Sequence, residues 1–228
     1  MARVGPVVVT LTLVVLVGCG SGGRDANTAE TTSQWSGYVN AGGRFTDVSA
    51  TFTVPSVSCP HPDMNASFWV GLDGYGSSTV EQVGVEALCR SGAARYSGWW
   101  QAYPAPPQPL DLVVVPGHEM MARVSVGAAG VRFELLDLTS AVAFETTVSV
   151  VDAEFRSAEV VAEQSGASQG PLSDFGEVGF RHATVNGRPL HAAGARRLVM
   201  TDNRHVARVA VSPLNASGDA FGVRWLSA

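Results

Sequence analysis

From Gly37 onward, short stretches of alternating or β-branched apolar residues are separated by Gly, Pro, Asn and Asp. That is the pattern of antiparallel strands, in which side chains two apart share a face. Strands are predicted over Phe45–Val54, Ser67–Leu72, Thr79–Glu86, Tyr96–Tyr103, Leu110–Val115, Met120–Val126, Val131–Leu136 and Ala141–Val150. Later ones are predicted over Ala158–Glu163, Val178–Val185, Arg197–Met200, Val206–Val211 and Ala220–Leu226. No long amphipathic helix stands out. So many short strands need two packed sheets or a barrel. Asn186-Gly187 predicts a tight hairpin turn and Asn215 to Gly218 a looser one.

The faces of individual strands carry more information. Phe68, Val70 and Leu72 form one apolar side, which leaves Trp69 and Asp73 on the other. By the same rule Gln82 and Glu86 lie together, away from Val83 and Val85, and Trp99, Gln101 and Tyr103 align. Glu159, Val161 and Glu163 share a side of their strand. If these strands are neighbours, aromatics and acids line one open face, a groove suited to a polymer.

Composition narrows the choices. The 228 residues are 46% hydrophobic and 15% charged, ordinary for a globular chain, and one all-β domain can use that length. Net charge is −5, so no basic surface is available to neutralise a phosphate backbone, and nucleic acid is not an expected partner. All 15 basic residues are arginine, which removes lysine Schiff-base and P-loop chemistry. His118-Glu119 lacks a second histidine at Ala122, and Gly76-Ser77-Ser78 lacks the nucleophile-elbow spacing. No metal or cofactor is expected.

The N-terminus has the form of an export signal: Arg3, an apolar run from Val7 to Val17, then Leu16-Val17-Gly18-Cys19. Leu-x-Gly-Cys resembles the bacterial lipobox, whose cysteine is lipidated. The run is too short to span a bilayer, so the protein is expected outside the cytoplasm, either held at the membrane by a lipid on Cys19 or secreted behind an ordinary signal. Residues 1–18 are read as signal, 19–33 as a flexible Gly/Ser/Thr-rich tether, and 34–228 as the folded domain. Cys59 and Cys89 remain as an even pair in an oxidising compartment, which predicts a disulfide.

Several motifs in order resemble the glutamic peptidases, or eqolisins. They are Trp35-Ser36-Gly37-Tyr38, Val48 to Pro55, Trp69-Val70-Gly71-Leu72-Asp73-Gly74, Glu81-Gln82-Val83-Gly84, Tyr96 to Pro104 and Ala158 to Glu163. Leu172 to Gly176 and Ala183 to Gly187 resemble the family's bacterial members. The resemblance implies a curved, two-sheet antiparallel β-sandwich of the concanavalin-like jelly-roll kind that binds peptide on its concave face. Its catalytic glutamine falls on Gln82 and its glutamate on Glu163 rather than Glu159. Cleft positions fall on Trp35, Trp69, Asp73, Glu86, Trp99 and Tyr103. Gln101 departs from the pattern, since the family usually has a substrate-binding glutamate there.

The implied chemistry is coherent. A carboxylate can take a proton from an attacking water and return it to the leaving amine, while an amide N–H steadies the oxyanion. Activity is expected on the acidic side of neutral, on peptide or protein substrates, by a monomer. Taken singly, Gln82 and Glu163 are ordinary polar residues on an exposed strand face; Trp69, Trp99 and Tyr103 suit packing, and Asp73 suits a turn. Two other functions fit the same face: a glycoside hydrolase pairing Glu163 with Glu86 or Asp73, and a silent peptide-binding module.

Overall fold

The computed structural model of the protein describes residues 29–165 and 170–228. The signal at 1–18 and Cys19 lie outside the described residues. In chain order the strands are β1 (Glu30–Thr32), β2 (Trp35–Ala41), β3 (Asp47–Thr53), β4 (Asn65–Asp73), β5 (Val80–Arg90), β6 (Ala93–Tyr103), β7 (Gln108–Pro109) and β8 (Glu119–Gly127). They continue with β9 (Gly130–Asp137), β10 (Val142–Val148), β11 (Ser157–Glu163), β12 (Glu177–Val185), β13 (Arg188–Pro189), β14 (Arg196–Met200), β15 (Val209–Val211) and β16 (Phe221–Trp225). One 3-10 turn, Leu190–Ala193, precedes β14. Among the described residues no helix is long and apolar enough to cross a membrane.

Two eight-stranded sheets form a sandwich. The first runs β1-β14-β2-β11-β4-β5-β6-β7 and the second β10-β9-β8-β3-β12-β16-β15, with β13 paired to β12. β4 and β5 pack on β3, β8 and β9 across the gap. The inward faces supply Phe68, Val70, Leu72, Val83 and Val85 from one sheet and Phe52, Phe133, Phe180 and Val223 from the other. Phe52 meets Phe180 at 5.6 Å and Phe68 at 6.4 Å between ring centroids, so aromatic packing joins the sheets. Each such fully buried ring contributes about 1.5–3 kcal/mol.

Four features differ from the sequence expectation. Leu110–Val115 forms no ladder: Leu110, Leu112 and Val114 are buried and Val113 is exposed, so the alternation reflects burial of one side of an unpaired segment. β2 was not predicted, because Gly37 and Asn40 resemble turn residues. It is nevertheless central, between β11 and β14, where a Cβ at Gly37 would lie 2.2 Å from the Val160 carbonyl oxygen and the buried Asn40 amide donates to the Leu190 carbonyl. The pairing is not wholly antiparallel, since β1 and β14 run parallel. The edge strand Glu30–Thr32 also lies before Gln34, within the stretch read as tether.

The turns agree with their chemistry. Asn186 and Gly187 both have positive φ, 50° and 70°, and close the two-residue hairpin between β12 and β13. Cys59 and Cys89 form the expected disulfide, 30 residues apart. Closing a loop of that size stabilises the fold by roughly 3–4 kcal/mol in the chain-entropy account.

Candidate active site

The outward face of the first sheet is set by register. Across β2, β11, β4, β5 and β6, one row reads Trp35, Glu163, Ser67, Glu86, Ser97. Two residues along, the next reads Gly37, Val161, Trp69, Gly84, Trp99, and the third Val39, Glu159, Gly71, Gln82, Gln101. Trp69 sits in the middle of this grid. A Cβ at Gly84 would come within 2.5 Å of the Trp69 Cβ, and one at Gly71 within 2.9 Å of its Cζ3. Both glycines therefore make room for an indole lying on the sheet. Trp35 meets it edge-on at 5.1 Å, and Val80, Val161 and Trp99 complete this outer apolar cluster.

Above it runs a groove of about 870 Å³. Trp35, Glu86, Trp99, Gln101 and Tyr103 line it, together with Gln82 and Glu163. The loop from Gly74 to Thr79 forms part of its rim, with the Gly74 N–H donating to Ser77 Oγ and that hydroxyl donating to the Thr79 carbonyl. The loop residues, Ser67 and Ser165 were not anticipated. Their only sequence signal is the cross-strand register, which one chain's alternation does not reveal.

Two residues expected in the cleft act from beneath it. Trp69 is fully buried, and its Nε1 donates to Glu163 Oε2 at 2.7 Å. Asp73 is also fully buried. Its Oδ2 accepts the N–H groups of Glu154 and Phe155 at 2.8 and 2.7 Å, and its Oδ1 that of Arg156 at 2.7 Å. Those bonds tie the end of β4 to the segment that leads into β11. Three backbone donors bring the Asp73 carboxylate into the protein, so it is a clamp rather than part of the groove wall.

Glu163 is titrated by its surroundings. Burial pushes its carboxyl up to about 7; hydrogen bonds from Trp69 and Trp35 oppose the rise, and the charge of Glu86 adds to it. Glu86 is itself raised by burial, against a hydrogen bond with Ser165 and the charge of Arg90. Trp69 holds Oε2, and the carboxylate lines the groove.

Gln82 is positioned through Gln101. The Ala105 carbonyl can only accept, so it fixes the Gln101 amide with Nε2 toward it, at 2.8 Å. Gln101 Oε1 then accepts from Gln82 Nε2, also at 2.8 Å. This leaves Gln82 Oε1 buried with no protein donor among the described residues, and one Nε2 hydrogen uncommitted. A glutamate at 101 could not donate to Ala105 while ionised. Gln82 and Glu163 share the groove but no hydrogen bond joins them; they lie two strands apart, on either side of Trp69.

Comparison with known proteins identifies the family. A family model described as the Peptidase A4 family matches residues 33–220. Aspergillopepsin-2 of Aspergillus niger is 30% identical over 230 residues, which cover 86% of this chain and 79% of that protein. Scytalido-glutamic peptidase, solved with a transition state analog inhibitor, superposes with a TM-score of 0.74 at 22% identity, over 85% of this chain and 98% of its own. Aspergilloglutamic peptidase from Aspergillus niger gives 0.59 at 25% identity, over 72% and 99%.

Proposed function

The chain belongs to the peptidase A4 family, the glutamic peptidases, and from that premise we propose that it is an endopeptidase whose catalytic pair is Glu163 and Gln82. The observation that carries this reading is the pairing of a tryptophan-held carboxylate of raised pKa with an amide whose carbonyl oxygen has no protein partner, in one groove. Membership of a peptidase family removes the support for a glycosidase or a silent binding module.

In the proposed reaction ionised Glu163 takes a proton from water as the water oxygen bonds to the scissile carbonyl carbon. The carbonyl π pair moves onto its oxygen, where the free Gln82 Nε2 hydrogen stabilises it, while Gln82 Oε1 accepts the water's other hydrogen. Collapse of the adduct breaks the C–N bond, and Glu163 returns its proton to the departing amine. Trp35, Trp99 and Tyr103 offer flat apolar surface to substrate side chains. Gln82→Ala is expected to lower kcat by about 10²–10³ with a smaller change in KM, measured on a fluorogenic peptide. Undiminished kcat would remove Gln82 from the pair.

We further propose that the protein acts outside the cytoplasm as a bacterial lipoprotein, held by Cys19. The Leu-x-Gly-Cys pattern and the Cys59–Cys89 disulfide support this. Labelled palmitate is expected to enter the wild-type chain and not Cys19→Ser; equal labelling of both would exclude that anchor.

A further inference from the structure

At Gln34 the groove adjoins a second cavity of about 850 Å³, whose wall includes Thr32, Gln164, Asp202, His205 and Arg208. The backbone at 208 is firmly placed. Its N–H donates to the Met200 carbonyl at 2.9 Å, and its carbonyl accepts from Leu226 and Ser227 at 2.9 and 3.2 Å. The guanidinium Nη1 donates to Gln164 Oε1, and Gln164 is the residue after Glu163. Gln164 is oriented in turn: its Nε2 donates to the Gly170 carbonyl at 2.7 Å and its backbone N–H to that of Gln34 at 3.0 Å. Arg208 is thus delivered beside the strand that carries Glu163.

Arg208 forms no ion pair with a described residue, and its Nε is buried without an acceptor. Asp202 is the acidic side chain lining the cavity, but it is already engaged. Its Oδ1 accepts from the backbone of Arg204 and Val206 at 2.8 Å each, and its Oδ2 from Arg204 Nε at 3.3 Å. Loss of hydration around the guanidinium lowers its pKa, and the charge of Asp202 offsets this only in part. A half-buried arginine with free donors beside a groove is suited to a carboxylate.

We propose that Arg208 forms an anion subsite, selecting substrates that carry a carboxylate a few residues from the scissile bond on the Trp35 side of the groove. Arg208 follows β14 with its N–H on the Met200 carbonyl, and its guanidinium reaches back to the side chain of Gln164, next to Glu163, a few residues of extended peptide from the bond. The carboxylate can belong to an acidic side chain or to the substrate's own C-terminus. This subsite rests on the assignment of the groove as a peptide-binding cleft.

The test uses peptides in which glutamate or glutamine occupies each position on either side of one cleavable bond, plus a pair ending in a free acid or an amide. For wild type, kcat/KM is expected to favour glutamate about tenfold at one position a few residues from the bond, or the free acid if the terminus is the ligand. The preference shrinks in high salt. It disappears in Arg208→Gln and turns toward arginine-containing peptides in Arg208→Glu. Cleavage by wild type at equal rates within every pair would overturn the subsite, whatever the variants do. Dissociation constants for the same peptides on Glu163→Gln separate this inference from the catalytic one: a glutamate preference in binding supports Arg208 even where no peptide is cut. No preference in either measurement overturns it.

Discussion

Glu163→Gln is expected to lower kcat by about 10³–10⁴ while leaving KM and the folded state nearly unchanged. General acid–base transfer by one positioned group contributes about 10²–10⁴, and Glu163 is proposed to serve in both directions of the transfer. Glutamine keeps the length and an oxygen for the Trp69 N–H, so the 2.7 Å contact has a replacement and only proton transfer is lost. The pH profile is a second readout. A base must be ionised, and burial places Glu163 at about 7, so kcat/KM for an uncharged peptide rises along a limb near that pH. That limb reaches its plateau at and above neutrality, so a base near 7 stands against the acid-side expectation from sequence. Full activity retained at pH 4 would overturn a base of pKa about 7 in this role. A kcat for Glu163→Gln within tenfold of wild type would overturn the assignment of the residue itself.

Alkali is expected to loosen the fold, and Glu81→Gln to relieve much of that loss. Glu81 and Glu159 are buried with carboxylate oxygens that meet no donor, near Asp73. Burial first, and then the charge of Asp73, push Glu81 up to about 8. Burial also holds Glu159 well above the ordinary range, and the charges of Asp73 and Glu81 add to it. In the unfolded chain such carboxyls ionise near 4.3. Between that value and 8 the folded state holds more protons, so stability is greatest in acid and falls as pH rises, by about 1.4 kcal/mol per unit for Glu81. The loss is on the order of 5 kcal/mol by pH 8, equivalent to roughly 10–20 °C in Tm for a domain of this size. Calorimetry of Glu81→Gln should show a Tm near wild type at pH 5 and about 10 °C above it at pH 9. Matching wild-type and variant curves across that range would remove Glu81 as the cause.

Much of the site follows from alternation along single strands. The rule that sets Gln82 and Glu86 apart from Val83 and Val85 also places Glu81 on the core side with those valines. That signal for a buried acid was present in the sequence. Alternation does not say which strands are neighbours, and the grid depends on that. Only the order β11-β4-β5-β6 puts Trp69 between Gln82 and Glu163 and presses it against Gly71 and Gly84. Hence a tryptophan read as cleft wall proves to be a support beneath Glu163. Asp73 was legible as a polar residue on the groove side, but its partners come from residues 154–156, some eighty positions later. Choosing Glu163 over Glu159 came from motif resemblance. The structure adds a physical contrast, because Glu163 lines the groove while Glu159 is wholly buried.

Asp73 has a mechanical side. The rim loop springs from it, and the same carboxylate grips the segment that feeds the strand bearing Glu163. One pin, out of reach of any bound chain, therefore couples the stiffness of the groove's edge to the aim of its carboxylate. Slackening that pin would loosen both together.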